Sequence, residues 1–84
     1  MLQIVSCLER WQFIGRVHRE GDLVIIEEAR NIRQWGTTEG LGELAIKGPQ
    51  PNTKLDFYGR QSVPVLAVIG YTDCDTEVWK KLYP

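Results

Sequence analysis

The chain has 84 residues, of which 43% are hydrophobic and 25% are charged, and its net charge is -1. A chain of this length holds one domain near the lower limit of independent folding. The balance of 10 Lys and Arg against 11 Asp and Glu residues gives no positive field, so general nucleic-acid binding is not expected. No apolar run is long enough to cross a membrane, and the first residues lack the features of a secretory signal. We therefore expect a cytoplasmic, unprocessed protein.

Short apolar runs separated by turn residues predict strands in the first part of the chain. Residues 3–8 predict a first strand. Residues 13–19 and 23–28 flank the turn sequence Glu-Gly-Asp, and together they predict a β-hairpin. Further along, Leu41, Leu44 and Ala45 have helical spacing and are followed by the stop signals Lys-Gly-Pro, which predict a short helix over residues 40–47.

The second half of the chain predicts two strands and a terminal helix. Residues 54–58 predict a strand. The apolar run at 63–71 predicts another, buried on both faces in the sheet or against a partner chain, with Pro64 confining its start to an edge or a strand beginning. Residues 72–84 open with capping side chains and continue as one apolar helical stripe. The elements together predict an α+β domain, built on a small antiparallel sheet that could close into a barrel, with one short internal helix and a C-terminal helix.

Self-association is expected because so short a chain has a thin core and no disulfide or metal motif to support it. Aromatic and aliphatic residues of the terminal helix could bury against the sheet or against another protomer. The candidate interface residues are Trp79, Leu82 and Tyr83. We therefore expect a homo-oligomer.

The middle segment carries a series of short motifs. The sequence Ala-Arg-Asn-Ile at 29–32 is followed by Trp35 and then by a Leu-x-x-Leu-Ala-x-x-Gly pattern at 41–48. A Val-Ile pair at 68–69, ahead of Cys-Asp-Thr at 74–76, completes the series. This series gives the chain a resemblance to a family of small uncharacterised bacteriophage and prophage proteins. The resemblance implies a phage gene product that acts in the cytoplasm of an infected bacterium, and it supplies no catalytic residue.

Arginine, tryptophan and threonine residues crowd ahead of the predicted internal helix. A guanidinium recognises phosphate in a planar, bidentate way and stacks on bases, and an indole offers a flat face. The loop at 36–40 leads into a helix N-terminus, whose free N–H groups favour an anion. The candidate ligand-binding residues are Arg30, Arg33, Trp35, Thr37 and Thr38, joined by Arg16 and His18 from the hairpin.

Each of these residues also has a structural interpretation. Arg16 could pair with Glu27 across the hairpin, or with Glu28 if the turn has three residues. Trp35 could plug the core beneath the helix. His18 is a lone histidine without a partner acid at a recognisable spacing, which favours a surface residue over a catalytic one.

The remaining reactive side chains favour structural roles. Cys7 and Cys74 indicate buried or incidental thiols rather than a nucleophile and its resolving partner. Asp73, Asp75 and Glu77 precede an apolar helical stripe, so they predict a helix cap rather than a cation site. No metal, cofactor or catalytic residue is expected.

These observations favour a phage-encoded, non-catalytic binding protein that acts against host defence. In this hypothesis an oligomer sequesters a small anionic, nucleotide-type signal. One alternative is a protein-surface inhibitor or adaptor that masks a host protein with an edge strand or the terminal helix. Another is a small nucleotide-processing enzyme, in which Arg16 and His18 act on a phosphate.

Overall fold

Five antiparallel strands form one sheet in the computed structural model, which covers all 84 residues. The strands are β1 (Leu2–Cys7), β2 (Gln12–Glu20), β3 (Leu23–Gln34), β4 (Lys54–Pro64) and β5 (Val68–Asp73). The first four form a meander and β5 returns beside β1, so the order across the sheet is β4-β3-β2-β1-β5. The α+β prediction is confirmed. Because β4 and β5 are both edge strands, the sheet is open and the predicted barrel closure is not present.

Local signals correctly predicted the hairpin and the internal helix. Glu20 pairs with Leu23 across a two-residue loop, in which Gly21 adopts the left-handed conformation that a tight hairpin requires. The helix, α1 (Leu41–Lys47), ends at Gly48, whose N–H donates to the Leu44 carbonyl. Neither α1 nor the single turn α2 (Thr76–Trp79) has the length or apolar character needed to cross a bilayer.

The late apolar run does not form one strand buried on both faces within the sheet, so this alternative was wrong, and burial against a partner chain stays a prediction. A 3₁₀ turn, Val65–Ala67, separates the end of β4 from β5. Leu66 in that turn is 92% exposed, and Ile69 in β5 is 68% exposed. The reason is topological: β5 pairs with β1 on one side only, and alternate side chains of an edge strand without a covering layer face solvent.

The predicted C-terminal helix is shorter than its apolar stripe suggested. Only α2 is helical, and the backbone N–H groups of Leu82 and Tyr83 then turn back to the Trp79 carbonyl. This turn lets the Tyr83 hydroxyl reach the sheet, where it contacts the carbonyl oxygens of Ile14 (3.1 Å) and Glu28 (2.7 Å).

The sheet carries an apolar core on each face. The first core contains residues of the sheet, of α1 and of the C-terminal segment: Leu2, Ile4, Ile14, Ile32, Leu44, Ala45, Trp79 and Tyr83. The second contains residues of the meander alone: Val5, Cys7, Phe13, Val24, Ile26, Ala29 and Val63. Neither helix contributes to the second core, which is covered instead by partly buried side chains such as Val65 and Ala67 of the 3₁₀ turn.

The residues predicted for a subunit interface lie in the first core of their own chain. Trp79 is 1% exposed and its indole Nε1–H donates to the Ala45 carbonyl, 3.3 Å away. Tyr83 is 5% exposed, and Leu82 packs partly buried against the same cluster. Trp79 and Tyr83 are therefore buried against the sheet of their own chain, the first of the two predicted alternatives, and the homo-oligomer stays a prediction.

We expect Tyr83→Phe to lower the free energy of unfolding by about 1–2 kcal/mol, because it removes a buried hydroxyl donor while keeping the ring. Urea denaturation followed by circular dichroism measures this change. The control is Tyr71→Phe, since the Tyr71 ring is partly exposed on β5. An equal effect of both substitutions, or none from either, would contradict the anchoring role of Tyr83.

Candidate functional site

The arginines predicted to bind a ligand are engaged within the chain. The Arg33 Nε donates to Asp56 Oδ2 at 2.9 Å. The Arg30 guanidinium lies over the rings of Phe57 (5.3 Å) and Tyr83 (4.9 Å), and its Nη1 is buried without a hydrogen-bond partner. A guanidinium packed in this way contributes cation–π energy to the fold.

Hydrogen-bond donors of the loop ahead of α1 are already bound to a carboxylate of the same chain. Glu43 Oε1 accepts hydrogen bonds from the Thr38 hydroxyl (3.0 Å) and the Glu39 N–H (3.1 Å). The Thr37 hydroxyl donates to the Gly40 carbonyl at 2.8 Å. The carboxylate thus satisfies donors that a bound phosphate would need. The Trp35 ring lies against Gly40 and remains partly exposed, so it does not plug the core beneath the helix.

The hairpin residues form a separate, exposed charge cluster. His18 Nε2 lies 2.9 Å from Glu20 Oε2, which also accepts from Arg60 at 3.0 Å. Hydrogen bonding from His18, followed by the Arg60 charge, lowers the pKa of Glu20. The partner acid of His18 therefore exists, two residues along β2, a spacing that places both side chains on one face of a strand.

Arg16 pairs with Glu28, the second of its two predicted partners, but a three-residue turn is not the cause. Its Nε lies 3.8 Å from Glu28 Oε2, although the hairpin loop has only two residues. The pairing of β3 with β4 changes register around Glu28, whose φ is 54°. Glu27 forms its salt bridge with Arg60 instead of Arg16. A bulge therefore does what a longer turn was expected to do. The Arg16 Nη2 donates to the Pro84 carbonyl at 2.8 Å.

The thiols and the acidic segment behave as structural groups. Asp75 Oδ1 accepts from the Glu77 N–H at 3.0 Å, which confirms the predicted helix cap. Burial, with a smaller contribution from Asp73, raises the pKa of the Cys74 thiol to about 12. Burial also raises the pKa of Cys7. Both thiols are therefore protonated near neutral pH and are poor nucleophiles.

The raised thiol pKa predicts a loss of stability in alkali. Above about pH 9 an unfolded chain releases the Cys74 proton, which the folded chain retains up to about pH 12, so the free energy of unfolding falls across this window. Urea denaturation at several pH values measures the slope. We expect a shallower slope in Cys74→Ala, with a remainder from Cys7 and Tyr83, whose pKa values burial also raises. An unchanged slope would contradict this assignment.

The largest hollow in the protein lies beside the second core, on the opposite side of the sheet from the C-terminal segment. It has a volume of about 370 Å³. We call it the aromatic groove, after its three ring side chains. Its lining residues are Cys7, Leu8, Glu9, Trp11, Phe13, Tyr58, Gln61, Ser62, Val63, Pro64 and Ala67. Two smaller hollows, of about 290 and 250 Å³, lie at the C-terminal segment and beside Pro64. None of the predicted ligand-binding residues lines any of the three.

The rings of the aromatic groove hold one another in place. Trp11 and Phe13 stack nearly parallel with their centroids 5.8 Å apart. Tyr58 meets both rings edge-on, at 6.4 Å from Trp11 and 5.7 Å from Phe13. Phe13 is 4% exposed and belongs to the second core, whereas Trp11 is 44% and Tyr58 46% exposed. A buried ring therefore fixes two rings that face solvent.

A tight connection between β1 and β2 presents Trp11. The Cys7 N–H donates to the Trp11 carbonyl at 2.8 Å and closes the turn. Within it, Glu9 (φ 61°) and Arg10 (φ 69°) both adopt the left-handed conformation, which costs a non-glycine residue of order 1 kcal/mol. The Trp-x-Phe spacing could have indicated two rings on one strand face. The approach of Tyr58 depends on the sheet and has no local signal.

The strained turn predicts that Arg10→Gly raises the free energy of unfolding by up to about 1 kcal/mol, because glycine adopts a positive φ without steric cost. Arg19→Gly, in the extended part of β2, is the matched control and should lower it, since glycine weakens a strand interior. Thermal denaturation of both variants checks the difference. A loss of stability in both would show that the turn is not strained.

Comparisons with known proteins assign no family to this chain: no protein-family model matches it, and no curated protein matches it. The structure also brings together no group of three or more His, Cys, Asp or Glu side chains that could hold a metal ion. The aromatic groove, as the largest hollow, is therefore the candidate functional site.

Proposed function

We propose that this chain is a non-catalytic binding protein, which holds a segment of another protein in the aromatic groove. The observation that carries the proposal is the arrangement of Trp11 and Tyr58, two large half-exposed rings fixed by the buried Phe13 at the mouth of a hollow. Tryptophan and tyrosine are frequent anchors of protein interfaces, particularly in well-packed pockets.

Rigidity of the rings favours binding. A half-exposed aromatic side chain that is free to rotate loses conformational entropy when a partner immobilises it. Here stacking and edge contacts already restrict both rings, so less entropy remains to be lost. The volume of about 370 Å³ is enough for a few side chains, near the lower end of the range for ligand sites.

The groove is better suited to holding a partner than to transforming it. Its ionisable side chains are Glu9, the Tyr58 phenol and the Cys7 thiol, and burial raises the pKa of that thiol. Ser62 lines the groove, but the lining includes no histidine or lysine that could act as its base. Binding therefore accounts for the groove without a chemical step.

Among the functions predicted from the sequence, masking of a host protein is the one that this geometry favours. The residue pattern similar to small phage proteins supports a bacterial protein as the target, in the cytoplasm of the infected cell. Sequestration of a nucleotide by an oligomer stays a prediction. Arg30 and Arg33, two of the residues expected to bind the nucleotide, contact Asp56, Phe57 and Tyr83 of the same chain. The enzyme alternative likewise has no hollow beside Arg16 or His18.

A displayed library of random 12-residue peptides, selected against the immobilised chain, tests the proposal. We expect enriched peptides whose affinity, measured by fluorescence anisotropy, falls at least tenfold in Tyr58→Ala and in Trp11→Ala. Phe57→Ala is the matched control, because Phe57 is the adjacent exposed ring of β4 and packs on Arg30 instead of lining the groove.

Three outcomes would overturn the proposal. The first is the failure of any peptide to be enriched over an unrelated domain, and the second is an equal loss of affinity in Phe57→Ala. The third is a dimer by light scattering that Tyr58→Ala dissociates, which would make a second copy the occupant of the groove. Circular dichroism of each variant confirms that the fold is retained.

A further inference from the structure

A second hollow adjoins the aromatic groove at Pro64. The hollow of about 250 Å³ is lined by Asp22, Pro64, Val65 and Leu66. Pro64 lines both cavities, so the two lie side by side along the end of β4 and the following 3₁₀ turn. Leu66, the most exposed large apolar side chain, stands at this surface. The combined surface is apolar and long enough for more than one side chain of a partner.

The charged side chains that line this combined surface are both acidic. They are Glu9 in the aromatic groove and Asp22 in the adjoining hollow. Neither carboxylate makes a salt bridge or a side-chain hydrogen bond within the chain. By contrast, Glu20, Glu27, Glu28, Asp56 and Glu77 are paired with cations of the chain. Glu39 is the one other carboxylate with neither kind of partner, since Glu43, Asp73 and Asp75 accept hydrogen bonds. Two of the three unpaired acids therefore lie at this apolar surface.

The nearest cations in sequence do not neutralise these acids. Arg10 follows Glu9 directly, but it lines neither hollow and forms no salt bridge. Arg19 donates through Nε and Nη2 to the Gly21 carbonyl across the hairpin turn, at 3.2 and 2.9 Å. A carboxylate at the edge of an apolar surface gains most from a cation that a partner brings, since the partner's apolar groups exclude water from the pair.

We infer that the partner segment combines apolar side chains with at least one Lys or Arg, which pairs with Glu9 or Asp22 at the end of β4. This inference rests on the proposed function, since it names the chemistry of the segment that the groove holds. Apolar side chains fill the space beside Trp11 and Tyr58. The basic side chain sets the direction and position of the segment.

A double-mutant cycle tests the inference. The probes are the consensus peptide selected on the unmodified chain and the same peptide with each Lys and Arg replaced by Gln. The protein variants are Glu9→Gln/Asp22→Asn, which keeps the shapes and removes the charges, and Glu39→Gln, an acid that lines no hollow. Fluorescence anisotropy gives the affinity of each pair.

We expect the unmodified chain to bind the basic peptide about tenfold more tightly than its Gln counterpart, and the double variant to bind both alike. Glu39→Gln should behave as the unmodified chain. Selected peptides without basic residues, or a preference that persists in the double variant, would overturn the inference while the dependence on Tyr58 still supports the proposed function. Failure to select any peptide would instead overturn the proposed function itself.

Discussion

The burial of Trp79 and Tyr83 is the interaction on which the rest of the structure depends. One antiparallel sheet presents apolar side chains on both faces, and α-helical segments pack against only one of them. The C-terminal segment and α1 cover that face, with the Trp79 indole bonded to α1 and the Tyr83 hydroxyl bonded to two strands. On the other face, the 3₁₀ turn after β4 packs against the second core, and the aromatic groove beside it stays open.

The unequal covering of the two faces supports the proposal that the chain binds a partner. Its arginines are used to hold the fold: Arg30 lies between Phe57 and Tyr83, and Arg33 pairs with Asp56. Its thiols are kept protonated by burial. What remains unused is a surface of half-exposed rings, with acids that have no cation of their own. Aromatic area and unpaired charge are properties of recognition surfaces, and they coincide in one place.

Local chemistry made part of this structure predictable. Turn residues located the hairpin, helical spacing and stop signals located α1, and Asp75 was a recognisable cap. Partners distant in sequence were not accessible: Asp56 is 23 positions from Arg33, and only the β3–β4 register brings them together. The arginine cluster therefore suggested a free anion site where ion pairs and cation–π contacts exist. The groove was missed for the same reason, because Tyr58 reaches Trp11 only through the sheet.

Both faces of the sheet carry a buried core, but the second face leaves two aromatic rings open to solvent, at the aromatic groove. Line broadening of the aromatic NMR signals by a soluble nitroxide tests this directly, because the probe reaches only side chains exposed to solvent. We expect strong broadening for Trp11 and Tyr58 and almost none for Trp79 and Phe13. Protection of Trp11 and Tyr58 in the unbound protein, or broadening of Trp79 to the same extent, would contradict it.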